Sequence, residues 1–129
     1  MGLTVTKEEY REEWLSCVSL NWVSAIDGTL SAATAEIQGT IERIIFIPSG
    51  KAGETPFDNY DATLVDRDGI DVLGGKGINL PNTSVVDVTV TDPTPVLPIA
   101  TLGLLTLNIS GAASGSGTHS GTIRIYLRR

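Results

Sequence analysis

A chain of 129 residues, 41% hydrophobic and 19% charged, is long enough for one domain with a real core and leaves little for a second. Its single cysteine excludes an intramolecular disulfide framework and a cysteine-cluster zinc site, and its single histidine, His119, excludes a His-rich metal site. Nine basic against fifteen acidic residues give a net charge of −6, which argues against a nucleic-acid binder that works by phosphate neutralisation.

The first residues lack the basic stretch followed by an apolar core that marks a secretory signal. No apolar run reaches the roughly 18 residues of a membrane-spanning helix. Leu3 and Val5 belong to an arm over residues 1–12, able to add to a neighbour's sheet edge. Within it, Thr6-Lys7-Glu8-Glu9 fits a capping box, which would place Tyr10, Trp14 and Val18 on one helical face. Against that, Trp14, Val18, Leu20 and Trp22 also share one face of an extended chain. The alternation favours a strand over about 13–25, preceded by at most one short helical turn. Cys17 lies in an apolar stretch and reads as a small buried residue.

Asp27-Gly28, between two apolar runs, reads as a hairpin turn. Residues 40–47 end apolar on both faces (Ile44-Ile45-Phe46-Ile47), which suits a central or covered strand, and Pro48 terminates it. Asp66-Arg67-Asp68-Gly69 forms a β-turn between residues 62–65 and 70–73, with Gly69 supplying positive φ. Val86, Val88 and Val90 alternate with polar residues. Residues 92–98 are a proline-rich connection between sheets. Leu105, Leu107 and Ile109 form another alternating strand. Residues 110–120, nearly all Gly, Ala and Ser, read as a flexible hairpin loop too small-sided to pack. Ile123, Ile125 and Leu127 then alternate with Thr122, Arg124, Tyr126 and Arg128 in the last strand. The expectation is an all-β fold: an antiparallel, jelly-roll-like β-sandwich of about 7–9 strands over residues 13–129.

Chemistry-bearing residues are sparse. Asp66-x-Asp68-Gly69 partly echoes a calcium loop, but Ile70 stands where a ligand is needed. Asp66 and Asp68 are therefore weak metal candidates, and the bland reading is aspartates satisfying turn amides. The wider set Asp58, Asp61, Asp66, Asp68 and Asp71 offers paired carboxylates without an evident cleft. His119, in a Gly/Ser loop, is poorly placed for a triad. Gly74-Gly75-Lys76-Gly77 lacks the first glycine, the Ser/Thr and the helix of a phosphate loop. No catalytic residue and no cofactor is expected. Trp14 and Trp22 are core or subunit-interface anchors, and Arg124 and Arg128 are candidates for charge pairs with a neighbouring subunit.

The order of these pieces carries a resemblance. Gly39-Thr40-Ile41-Glu42-Arg43-Ile44-Ile45-Phe46-Ile47-Pro48 is followed by Thr55-Pro56-Phe57-Asp58-Asn59-Tyr60-Asp61-Ala62-Thr63-Leu64. Asp66-Arg67-Asp68-Gly69-Ile70-Asp71-Val72-Leu73-Gly74-Gly75 comes next, and the chain closes with residues 105–110, a Gly/Ser loop and residues 121–127. This succession, from about residue 22 to 127, resembles a family of small structural proteins encoded in the head and tail modules of tailed bacteriophages. The resemblance implies a virion component made in a bacterial host cytoplasm, and not an enzyme. A small single domain without fibrous repeats leans toward a capsid decoration, or cement, protein, with a homotrimer as the natural state. Its partners would be itself and the major capsid protein or other virion neighbours, with no nucleic acid and no membrane. The alternative is a tail, baseplate or head–tail connector component, or a host-glycan-binding module.

Overall fold

The computed structural model describes residues 2–9, 15–34, 37–89, 100–113 and 118–128. Within them the chain is all-β, with nine strands and no helix. They are β1 (Gly2–Glu9), β2 (Leu15–Val23), β3 (Leu30–Ala33), β4 (Ile37–Pro48), β5 (Asp61–Val65), β6 (Val86–Thr89), β7 (Ala100–Gly103), β8 (Thr106–Ser110) and β9 (Ser120–Arg128). Two antiparallel sheets result. The larger runs β1-β2-β9-β4-β6, with β7 also on β4; the smaller runs β3-β8-β5. From β2 onward the chain changes sheet at every connection except β6 to β7, the wrapped order of a jelly roll.

Period-two patterning builds the sandwich. Val18, Leu20 and Trp22 on β2 lie opposite Ile125, Ile123 and Gly121 on β9, and Ile44 and Phe46 of β4 continue the same layer. Ala62 and Leu64 on β5 with Leu107 and Ile109 on β8 supply the facing layer, and all of these apolar side chains are buried in one cluster. The Trp22 and Tyr60 rings meet between the sheets with centroids 5.6 Å apart. Dense apolar packing of this kind is the main source of stability in a domain this size.

Strand β4 is central, as the doubly apolar pattern predicts: β9 pairs one flank, β6 and β7 the other. A register shift between Ile41 and Arg43 turns Glu42 out of the ladder. The free edge of β5 is closed by residues 71–80 without a regular strand. Their backbones exchange hydrogen bonds with it, Val72 N–H to Leu64 O (2.7 Å), Ala62 N–H to Gly77 O (2.6 Å) and Leu80 N–H to Tyr60 O (2.8 Å). This irregular closure protects an edge that would otherwise template aggregation.

Several expectations are corrected. Residues 2–9 are neither an arm nor a helical turn: they form β1, paired with β2 over its whole length, Leu3 opposite Trp22 and Val5 opposite Leu20. Alternation outweighs the capping-box signal because Leu3 and Val5 find the core to pack against. Asp27-Gly28 is not a hairpin turn, since β2 and β3 lie in different sheets; it is a tight corner between them. The connection from β8 to β9 likewise crosses between sheets, and Ala112 within it is fully buried rather than too small to pack. Residues 70–73 make only an isolated bridge, Val65 to Asp71, and then turn. The β-turn before them forms as read, with Gly69 at φ 81°. Tyr10, Trp14, the proline-rich connection 92–98, residues 114–117 and Arg129 lie outside the described residues.

Candidate functional site: the loop end and the outer sheet face

One end of the sandwich gathers the β2–β3 corner, residues 49–60, residues 78–85, and residues 111–113 and 118–119 of the β8–β9 connection. Two stitches join the β2–β3 corner and residues 49–60 to the β8–β9 connection. The first is Ala112, whose N–H donates to Gly28 O (3.3 Å) and whose carbonyl accepts the Phe57 N–H (3.0 Å). The second is His119, 1% exposed. Its carbonyl accepts the Ser24 N–H (2.7 Å), its own N–H donates to Ser24 Oγ (3.2 Å), and Nδ1 lies 3.1 Å from the Thr55 carbonyl. A carbonyl only accepts, so Nδ1 carries the proton. His119 is thus a structural clasp. The Ser24 hydroxyl donates to Ala25 O and meets the backbone of residue 119.

Gly28 is the tightest point of this end. It sits at φ +81°, and any Cβ there would overlap the backbone of Ala112 and Ala113. Gly28→Ala combines left-handed strain with a backbone clash, and is expected to cost about 3 kcal/mol of unfolding free energy in a denaturant titration.

Of the exposed apolar side chains at this end, which include Ile78 and Val85, two are followed by an aspartate. They are Ile26 (66% exposed) with Asp27, and Phe57 (54% exposed) with Asp58. Thr29 donates to Asp27 Oδ1 from both its hydroxyl (2.6 Å) and its N–H (3.1 Å), which holds the Asp27 carboxyl below its ordinary value. Asp58 Oδ1 accepts the Asn82 N–H at 3.2 Å. Shallow depressions lie here, one between Ile26, Asp27 and Thr118, another between Pro48, Thr55 and residues 82–85.

The outer face of the larger sheet carries Arg43, Arg124 and Arg128. Arg43 makes a forked pair with Asp87, Nε to Oδ1 at 2.9 Å and Nη2 to Oδ2 at 2.6 Å, and lies 5.4 Å from the centre of the Tyr126 ring. The guanidinium holds the Asp87 carboxyl below its ordinary 3.8. Arg128 Nε donates to Glu42 at 2.8 Å. Both pairs are largely solvated, so they order the surface more than they stabilise the fold. The Arg128 pairing expected with a neighbouring subunit is therefore made within this chain, through the Glu42 that the bulge turns outward. Arg124 differs: it is exposed, stands across from Ile45, and forms no ion pair among the described residues. Ile45 and Ile47 are half-buried beside it, and Val85 at the adjoining edge is 56% exposed.

Trp22 is 1% exposed and offers no surface to a partner, so it is a core residue and not an interface anchor. Leu3 and Val5 pack partly against that core. Four of the acidic set, Asp58, Asp61, Asp66 and Asp71, accept backbone N–H groups. Asp66 Oδ1 accepts from Asp68 N–H (2.9 Å) and Ile70 N–H (3.0 Å), and Asp61 from Asn79 N–H (2.8 Å). Asp71 accepts from Leu64 (3.0 Å), Leu73 (3.1 Å) and Gly75 (3.0 Å). Among the described residues no three His, Cys, Asp or Glu side chains converge as metal ligands, and no helix is long and apolar enough to cross a membrane. Sequence reasoning missed the Ile26-Asp27 and Phe57-Asp58 pairs. Their only signal was an apolar residue beside an aspartate in a turn.

No family model matches the sequence, and no curated protein matches it. The solved structure of FLHE aligns over 89% of this chain and 98% of its own, at 8% identity and a TM-score of 0.44. Similarity that low carries no argument about function.

Proposed function

We propose that this chain is a structural component of a tailed-bacteriophage virion, a capsid decoration protein that binds and stabilises the assembled head. The resemblance read over residues 39–75 and 105–127 motivates it. The observation that supports a structural role is the fate of the carboxylates. Asp58, Asp61, Asp66 and Asp71, the residues with most claim to chemistry, each hold backbone N–H groups in place. A protein that binds the assembled lattice and not free subunits stabilises it by mass action, and repeated weak contacts add through multivalency. The reading includes a homotrimer, contact with the major capsid protein, and no catalytic, membrane or nucleic-acid role. Mass spectrometry of purified tailless heads tests it: peptides of this chain are expected in heads, and finding them only in tails overturns it.

A second reading, a host-glycan-binding tail module, draws on one observation. Phe57 is an exposed aromatic beside Asp58 and Asn82, the kind of grouping on which sugar rings stack. Absence of binding on a glycan array removes it.

A further inference from the structure

The loop end and the outer sheet face of this chain are complementary. The loop end presents Ile26 and Phe57, 66% and 54% exposed, flanked by the carboxylates of Asp27 and Asp58. Both carboxylates are oriented by local hydrogen bonds, from Thr29 and Asn82. The outer face presents the inverse: Arg124, without an ion pair among the described residues, set beside half-buried Ile45 and Ile47. Arg43 and Arg128 are neutralised by Asp87 and Glu42, so among the described residues Arg124 is the cation this face holds for an incoming carboxylate. Apolar side chains ringed by one charge, meeting apolar side chains around the opposite charge, give both area and register to a contact.

We propose that the loop end of one copy docks on the outer face of the larger sheet of a second copy, Ile26 and Phe57 against Ile45 and Ile47, with Asp27 and Asp58 toward Arg124. The two surfaces are different patches of one chain, so the contact is heterologous and closes into a ring or continues as a filament. A homotrimer is such a ring. The proposal gives the self-association in the functional reading a surface, yet its test needs no virion, so the two fail separately.

Sedimentation velocity on the purified full chain reads the contact. The wild type is expected to associate with rising concentration, less so at high salt, where exposed charges are screened. Phe57→Ser and Arg124→Glu alter exposed side chains and are expected to keep the wild-type melting temperature, while each weakens association by roughly tenfold or more. Mixing the two variants is the decisive arm. The Phe57→Ser copy retains an intact sheet face and the Arg124→Glu copy an intact loop end, so the mixture is expected to form a one-to-one complex that neither forms alone. Three results overturn the proposal. One is a wild type that stays monomeric at all concentrations. Another is association untouched by either variant. The third is a mixture that fails to complement, which would mean that like patches meet each other or that another partner occupies them.

Discussion

Trp22→Ala is expected to lower the unfolding free energy by about 4 kcal/mol and the melting temperature by roughly 15 °C. The ring is the largest buried side chain on β2 and joins both sheets through its contact with Tyr60. It packs against Gly121 of the neighbouring strand, where a Cβ would come within 2.7 Å of the ring. The backbone around it is paired on both sides by β1 and β9, so the void left by truncation has little freedom to collapse. Trp22→Phe separates two parts of that cost. The indole Nε1 is buried with no hydrogen-bond partner among the described residues. An unmade hydrogen bond costs about 1–3 kcal/mol, which phenylalanine recovers while keeping most of the apolar area. Trp22→Phe is therefore expected to cost less than about half of Trp22→Ala by thermal unfolding under circular dichroism. Equal losses for the two variants would mean that Nε1 is satisfied after all.

Asp71→Ala is expected to cost about 3 kcal/mol in urea-induced unfolding. One carboxylate serves three backbone donors there, Leu64 and Leu73 through Oδ1 and Gly75 through Oδ2. Leu64 lies on β5 and the other two in the segment that closes its edge, so the carboxylate replaces ladder bonds where that segment turns away. Leu64, Val72 and Leu73 are fully buried around it, leaving the freed Leu64 and Leu73 N–H groups poor access to water, while Gly75 is exposed. Asp66→Ala, in an exposed turn with two such bonds, is expected to cost about 1 kcal/mol. If the order of the two were reversed, the edge closure would be secondary to the turn.

Much of the fold was legible because it rests on period-two alternation. Ile123, Ile125 and Leu127 point inward, and so do Leu107 and Ile109. The apolar run ending at Pro48 is central. What the pattern does not carry is which strands pair. Asp27-Gly28 and the Gly/Ser segment after β8 look like hairpin turns, yet each joins opposite sheets. A turn sequence sets local φ and ψ, while sheet membership follows from burial that the whole chain decides. β1 was missed for a related reason. The capping-box pattern Thr6-Lys7-Glu8-Glu9 is a local signal, and the pairing of Leu3 and Val5 with Trp22 and Leu20 is not. The local part of the acidic cluster is legible: Asp66 accepts the N–H groups of Asp68 and Ile70 within its own turn. Asp58, Asp61 and Asp71 also hold backbone amides, but those of Asn82, Asn79 and Leu64 are brought to them by the fold. The two apolar-acidic pairs at the loop end were not legible, since their meeting depends on the stitch through Ala112, distant in sequence from both.

We propose that this domain works by contact on the outside of a phage head. Cryo-electron microscopy of the intact virion tests it most directly. Density for this sandwich is expected on the outer capsid surface, repeated over the lattice and seated around a symmetry axis. Density for it confined to the tail, with bare capsid faces, would contradict the account.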